Sequence, residues 1–176
     1  NSFKVSSIES ISIPAKVKQI GDFAFYCCFN LRIVEFTEDS QLISIGNEVF
    51  NNTKITNIKI PKHVQKIGQG SFSECKSLTN IEFAENSELN IISSKLFSHT
   101  SFKSITIPSK VQKICDNAFY SCRNLETINF CENSELKTIE YEAFLLSLIV
   151  NLSIPSNLKE LKEGWCALTL KLTNVI

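Results

Sequence analysis

The chain of 176 residues has no methionine, one tryptophan and two histidines, and its eighteen lysines and arginines are balanced by eighteen acids, leaving no formal net charge. That balance removes the general attraction to nucleic acid or to an anionic membrane that a basic chain would have. No run of eighteen apolar residues occurs and no basic-then-apolar leader opens the chain, so neither a membrane span nor a signal peptide is read in this segment. Methionine is missing even at position 1, which leads us to expect a processed product or a piece of something longer. Zinc-type cysteine pairs are also lacking. None of the seven cysteines stands in a CxxC with a second such pair, and an odd total argues against a complete disulfide framework. What remains, 43% apolar and 20% charged, is the composition of an ordinary folded domain rather than of a disordered chain.

Proline is scarce but regular. The four prolines are Pro14, Pro61, Pro108 and Pro155, each 47 residues after the last, and the segments around them repeat: "ISIPAKVKQIGDFAFYCC", "IKIPKHVQKIGQGSFSEC", "ITIPSKVQKICDNAFYSC". Within that unit the apolar pairs Ile11/Ile13, Val34/Phe36, Ile58/Ile60, Ile81/Phe83, Ile105/Ile107, Ile128/Phe130 and Leu152/Ile154 recur at steps of 23 and 24, so the unit is two coils of a solenoid. Each pair reads as a short strand with one buried face, and stacking would set these strands side by side in a parallel sheet roughly 4.8 Å apart. Proline would end alternate strands without sacrificing a ladder bond. The segments "GDFAFYCC", "GNEVF", "GQGSF", "CDNAF" and "EYEAF" read as single helical turns with polar residues to cap free N–H groups. The expected fold is therefore an α/β repeat solenoid of about seven to eight right-handed coils, a single domain over residues 1–176. Both ends fall inside a repeat, so we expect a segment of a longer array.

Two columns should run through the core. Phe3, Phe25, Phe50, Phe72, Phe97, Phe119 and Phe144 recur at steps of 22 and 25. Cys28, Thr53, Cys75, Thr100, Cys122, Ser147 and Thr169 alternate thiol with hydroxyl. Cysteines two coils apart, roughly 9.6 Å at strand spacing, exceed the reach of a disulfide, so Cys28, Cys75 and Cys122 should be free buried thiols.

The set "L..I.IP..V..I....AF..C", seen in "LTNIEF" and "ITIPSKVQKICDNAFYSCRNL", resembles the BspA-like subclass of leucine-rich repeats, found on bacterial and protist surface proteins. The likeness covers nearly the whole chain. This sequence departs from the pattern in favouring Ile, Val and Phe over Leu and in lacking a regular asparagine after the strand. At the end "EGWCALT" stands in place of "DNAFYSC", so the last coil is expected to be irregular. The resemblance implies a horseshoe or gently curved solenoid that binds proteins, with adhesion to host or extracellular-matrix proteins as its role.

Function is sought on the sheet's outer face, a solenoid's usual binding surface. The residues between the buried members of each strand are Ser12, Glu35, Lys59, Glu82, Thr106, Asn129 and Ser153, of which Glu35, Lys59 and Glu82 could pair laterally. Lysines after each proline (Lys16, Lys18, Lys62, Lys66, Lys110, Lys113, Lys159, Lys162) should alternate with acids on the intervening coils (Glu38, Asp39, Glu85, Glu88, Glu132, Glu135), giving a self-paired edge rather than a nucleic-acid face.

His63 and His99 have no recognisable Ser or Cys partner, and "IGQGSF" lacks nucleotide-loop spacing and reads as a turn, so no enzyme, metal or cofactor is expected. Asn51 and Asn151 open two glycosylation sequons. Three functions stay open: a cell-surface or secreted protein-binding module, a structural spacer or stalk, and a cytoplasmic scaffold to which free thiols would be suited. None of them calls for nucleic acid or membrane insertion.

Overall fold

The structure is a computed structural model that describes residues 2–169 and 171–175, with the backbone alone at 151, 174 and 175. Among the described residues, fifteen short strands run along a solenoid of parallel coils. On one side lie β1 (Ser10–Ile13), β3 (Ile33–Phe36), β5 (Asn57–Ile60), β7 (Asn80–Phe83), β9 (Ser104–Ile107), β11 (Thr127–Phe130), β13 (Asn151–Leu152) and β15 (Asn174–Val175). Between them come two-residue strands: β2 (Gln19–Ile20), β4 (Ser44–Ile45), β6 (Lys66–Ile67), β8 (Ile91–Ile92), β10 (Lys113–Ile114), β12 (Thr138–Ile139) and β14 (Glu160–Leu161). Register follows the apolar pairs, with Ile11 opposite Val34, Ile58 opposite Ile81 and Ile105 opposite Ile128.

The long strands ladder fully inside each 47-residue unit and at most at one residue pair across its boundary. β1 pairs β3, β5 pairs β7 and β9 pairs β11 over four residues each, whereas β3 is not laddered to β5 nor β7 to β9, and β11 meets β13 at Thr127 and Asn151 only. Just past the strands of a unit the Ala84 N–H donates to the Ile60 carbonyl at 3.0 Å. The counterpart across a boundary would have to come from Pro61, which follows β5 and has no N–H.

The third side of each coil is not helical, which removes the helical component of the expected fold: among the described residues there is no helix. Each full coil carries two residues with left-handed φ four apart, namely 23/27, 48/52, 70/74, 95/99, 117/121, 142/146 and 164/168. A helix cannot pass through such residues. Their effect is to make backbone N–H groups point alternately inward along the turn and outward to the next coil. Phe23, Phe25 and Cys27 donate to Asn47, Val49 and Asn51 at 2.9–3.0 Å, while Ala24, Tyr26 and Cys28 donate to the residue three earlier at 3.2–3.3 Å. The polar residues expected as helix caps instead link coils: Asp22 Oδ1 accepts from the Asn47 N–H at 2.7 Å, and Asn47 Oδ1 from the Gln69 N–H at 3.0 Å.

The phenylalanine column is continuous. Ring centroids from Phe3 to Phe144 are 5.3–6.0 Å apart, and Trp165 closes the column edge-on to Phe144 at 6.1 Å. Six of these phenylalanines are buried, and Phe3 is 41% exposed on the first coil. Phe102, outside the column, is fully buried and edge-on to both Phe97 and Phe119. In the last coil Trp165 takes the backbone place of Ala118 and Ala143, its carbonyl accepting from Phe144 as Ala143 does from Phe119. Leu161, in β14, is 42% exposed, in keeping with the expected irregularity.

The second column is a hydrogen-bonded ladder. Thr53 Oγ1 and Cys75 Sγ both donate to the Phe50 carbonyl, at 2.9 and 3.0 Å, and Thr100 and Cys122 do the same to Phe97 at 2.7 and 3.0 Å. Ser147, the third hydroxyl of the series, is buried with no partner for its Oγ among the described residues.

Two predictions follow the backbone and this column. Gly70 has φ +63°, and a Cβ there would lie 3.3 Å from Glu48 Cγ; Gly70→Ala should cost about 1–2 kcal/mol in urea unfolding. Thr100→Val should cost about 1 kcal/mol, whereas Ser147→Ala, which removes an unpaired buried hydroxyl, should be neutral or stabilising by up to about 1 kcal/mol.

Candidate binding face

All seven residues expected on the outer sheet face, Ser12, Glu35, Lys59, Glu82, Thr106, Asn129 and Ser153, are exposed. The strands put them in one row, with Ser12 opposite Glu35, Lys59 opposite Glu82 and Thr106 opposite Asn129. A second exposed row precedes it by two positions: Ser10, Ile33, Asn57, Asn80, Ser104 and Thr127. Sequence reading missed this row because it fixed on the single residue between each apolar pair. The alternation signal was present, since strand residues two apart share a face. Ile33, 52% exposed, is the one large apolar side chain on it among the described residues.

The lateral triplet Glu35–Lys59–Glu82 does not form. Glu82 instead accepts from Asn80 Nδ2 at 2.9 Å, and Lys59 makes no ion pair among the described residues. The self-paired edge is corrected as well. Of its eight lysines, among the described residues, only Lys113, with Glu140 at 2.7 Å, and Lys162, with Glu160 of its own coil, are paired. Loop length explains this. The acidic loops 37–43, 84–90 and 131–137 are two residues longer than the proline loops 14–18, 61–65 and 108–112, so their tips do not stand level with the lysines. Carboxylates at their far ends are met by glutamine and histidine: Gln65 and His63 on Glu88 at 3.1 and 3.0 Å, and Gln112 on Glu135 at 3.0 Å. Hydrogen bonding by Gln65 first, then His63, holds the Glu88 carboxyl below its ordinary range. His99 faces Glu74 at 3.5 Å and packs edge-on to Tyr120.

Each acidic loop is built alike. Its buried serine (Ser40, Ser87 or Ser134) donates its N–H to the residue three earlier and accepts at Oγ from the leucine two later, at 3.3–3.4 Å. Its backbone is tied to the proline loop of its own unit, as by Glu88 N–H to Lys62 carbonyl at 2.9 Å. Toward the next unit the surface opens into a hollow.

This architecture coincides with a match to the family described as the BspA type leucine rich repeat region, in six copies over residues 1–97 and 90–176. The chain belongs to that family. Among solved structures, a leucine-rich repeat protein from Bacteroides ovatus aligns with TM-score 0.76 and 26% identity over 96% of this chain and 49% of its own. One from Eubacterium ventriosum aligns with TM-score 0.79 and 21% identity over 93% of this chain and 43% of its own. The pneumococcal vaccine antigen PcpA shares the fold at TM-score 0.50 and 18% identity, over 95% of this chain and 61% of its own. The chain thus spans about half the length of the first two relatives. No curated protein matches it.

All seven cysteines of this BspA-type solenoid are free. Burial pushes the Cys75 thiol up to about 11 and Cys122 up to about 12, and also raises Cys28, Cys115 and Cys166. Cys131 is exposed. At the Asn51 sequon, Thr53 is buried and hydrogen-bonded, and the Asn51 carbonyl accepts the Cys27 N–H at 2.9 Å. The side chain of Asn151 lies outside the described residues.

A thiol kept neutral by the fold lends stability that is complete below its ordinary pKa of 9.0 and is lost as pH rises toward the folded values of about 11 and 12. The urea midpoint should therefore fall from pH 9 toward pH 12, with a shallower slope in Cys75→Ala/Cys122→Ala. At pH 8 iodoacetamide should alkylate Cys131 and leave Cys75 and Cys122 unmodified until the chain is unfolded, as read by peptide mass spectrometry.

Proposed function

We propose that this chain is a non-catalytic protein-binding module displayed at the cell surface or secreted, and that it holds a host or matrix protein through its outer sheet face. The observation carrying the reading is the double row of exposed residues along laddered strands, where Glu35, Lys59 and Glu82 keep their charges out of ion pairs. Charges held on a rigid sheet outside ion pairs can meet complementary groups without first breaking a salt bridge. No aromatic or arginine anchor lies in the central row, so single contacts are weak and gain strength from repetition along the coils. Surface display rests on the family resemblance, with a vaccine antigen among the fold relatives.

A second reading, a structural spacer or stalk, draws on the same lack of large anchors. An intracellular scaffold is the third, and the seven free thiols favour it over the other two.

Binding of the chain to a panel of extracellular-matrix and cell-surface proteins should find a partner whose affinity falls about tenfold or more, equivalent to about 1.4 kcal/mol, when Glu35, Lys59, Glu82 and Asn129 are all replaced by Ala. The unfolding midpoint should change little in that variant. A panel on which neither protein binds at surface-like density favours the spacer.

A further inference from the structure

Where each coil leaves its turn and enters its long strand, basic residues stand on five successive coils: Arg32, Lys54, Lys76, Lys103 and Arg123, all exposed. The segments concerned, 29–32, 54–56, 76–79, 101–103 and 123–126, hold a single acid, Glu126, against these five. Backbone bonds fasten the segments side by side into one corner of the solenoid. The Lys54 N–H donates to the Leu31 carbonyl at 2.9 Å, Thr79 to Thr56 at 2.9 Å, Ser101 to Leu78 at 3.1 Å and Glu126 to Lys103 at 2.8 Å. Among the described residues Arg32, Lys54, Lys103 and Arg123 make no ion pair, while Lys76 meets Glu74 at 3.0 Å. A chain with no formal net charge thus keeps a local positive excess here.

The corner deepens at 76–124 into a hollow of about 260 Å³, lined by Lys76, His99 and Arg123 and otherwise by serine, threonine and asparagine alone. Neither an acid nor an apolar residue is in that lining. Ser121 is buried, and its Oγ accepts from Arg123 Nε at 3.2 Å, which fixes the guanidinium while its terminal nitrogens have no partner among the described residues. Ser101 Oγ donates to the Lys76 carbonyl at 2.7 Å and so has its lone pairs to offer. Glu74, outside the lining, faces both Lys76 at 3.0 Å and His99 at 3.5 Å and offsets part of their charge.

The lining selects the ligand. Basic groups with no carboxylate among them call for an anion, and a guanidinium held in place offers an oxyanion two parallel N–H bonds. A peptide would find no apolar side chain to anchor on, and a nucleic acid no phenylalanine, tyrosine or tryptophan on which to stack a base. A sulfated sugar needs neither. Its sulfates meet the basic groups, and its hydroxyls can donate to Ser101 and Asn124. On the coils before the hollow Lys54 and Arg32 continue the charge, so a polymer of such sugars gains contacts that a free anion lacks.

We propose that this corner binds a sulfated polysaccharide, with one sulfate held between Lys76 and Arg123 and further sulfates along Lys54 and Arg32. The corner borders the outer sheet face but uses none of its residues, so this inference goes beyond the protein-binding reading and does not depend on it.

The test is fluorescence anisotropy of the 176-residue chain with a labelled heparin oligosaccharide, beside the same oligosaccharide stripped of its sulfates but keeping its carboxylates. The sulfated probe should bind about tenfold tighter. Lys76→Ala/Arg123→Ala, which changes two exposed residues, should weaken it about tenfold at an unchanged unfolding midpoint. Lys16→Ala/Lys18→Ala, which takes the same charge from exposed positions after Pro14, should leave binding within about twofold. Glu74→Gln should tighten it about threefold by releasing Lys76 and His99. Absent binding, or equal binding of the two oligosaccharides, overturns the proposal. Equal losses in the two double variants overturn the location, since net charge alone would then account for them, and a Glu74→Gln protein that binds no tighter overturns the hollow as the seat of the sulfate. Tighter binding of single-stranded DNA or of polyglutamate than of heparin overturns the polysaccharide as occupant.

Discussion

Phenylalanine rings stacked at 5.3–6.0 Å down the axis constrain everything else in this solenoid. Strands ladder at roughly 4.8 Å, closer than these ring centroids sit, so the rings must offset and tilt to share one axis with the backbone. Interplanar angles of 4–31° in the column show that accommodation. Each ring must arrive at the same depth in every coil, and the backbone around it donates alternately inward and to the next coil to hold it there. A helical turn, with its N–H groups directed along its own axis, would leave that side of the coil unfastened to its neighbours. The left-handed residues cost roughly 1–2 kcal/mol each, and the inter-coil bonds together with ring burial offset that cost.

Proline then makes the two coils of a unit unequal. A chain of identical coils would ladder without interruption and present an even sheet edge. Here the long-strand ladder is full within a unit and is missing or reduced to one residue pair at its boundary, where Pro61 and its equivalents have no N–H to offer beyond the strand end, while each acidic loop is two residues longer than the proline loop beside it. A backbone property and a loop length, neither of them a binding feature alone, combine at the same place to give a hollow of about 430–550 Å³ per boundary. The acidic loop is fastened on both sides, as Glu135 N–H is to the Ser109 carbonyl of its own unit at 2.7 Å and as the Lys137 carbonyl is to the Lys159 N–H of the next at 2.8 Å.

The sequence made the coil period, the strand register, the phenylalanine column and the alternating Cys/Thr column legible, because each depends on which side chain recurs at which step. It did not reveal the turn side. Phe23, Cys27, Glu48 and Lys95 hold left-handed φ without being glycine, so the usual residue signal for that conformation is absent, and "DNAF" resembles a capped helical turn as closely as it resembles the turn it forms. Charge pairing failed for a related reason: Lys62 and Glu85 align in a repeat table, but loops of unequal length separate them in space. The outer face was half legible. A position between two apolar residues marks Lys59 and Glu82, whereas Asn57 and Asn80, at the strand's first residue, have an apolar neighbour on one side only.

Weak contacts and a rigid period belong together in such a molecule. A face of Ser, Thr, Asn and isolated charges offers little energy at any one coil, and no side chain in the central row resembles an anchor that concentrates affinity. Repetition changes the arithmetic, because a partner already held at one position meets the next at a high effective concentration, provided that its own repeat stays in register. Register is what the ring column supplies. Coils that could slip or flex would let successive sites drift apart, and the gain from repetition would vanish. The buried Phe stack, far from any partner, is therefore the element on which an extended binding surface depends.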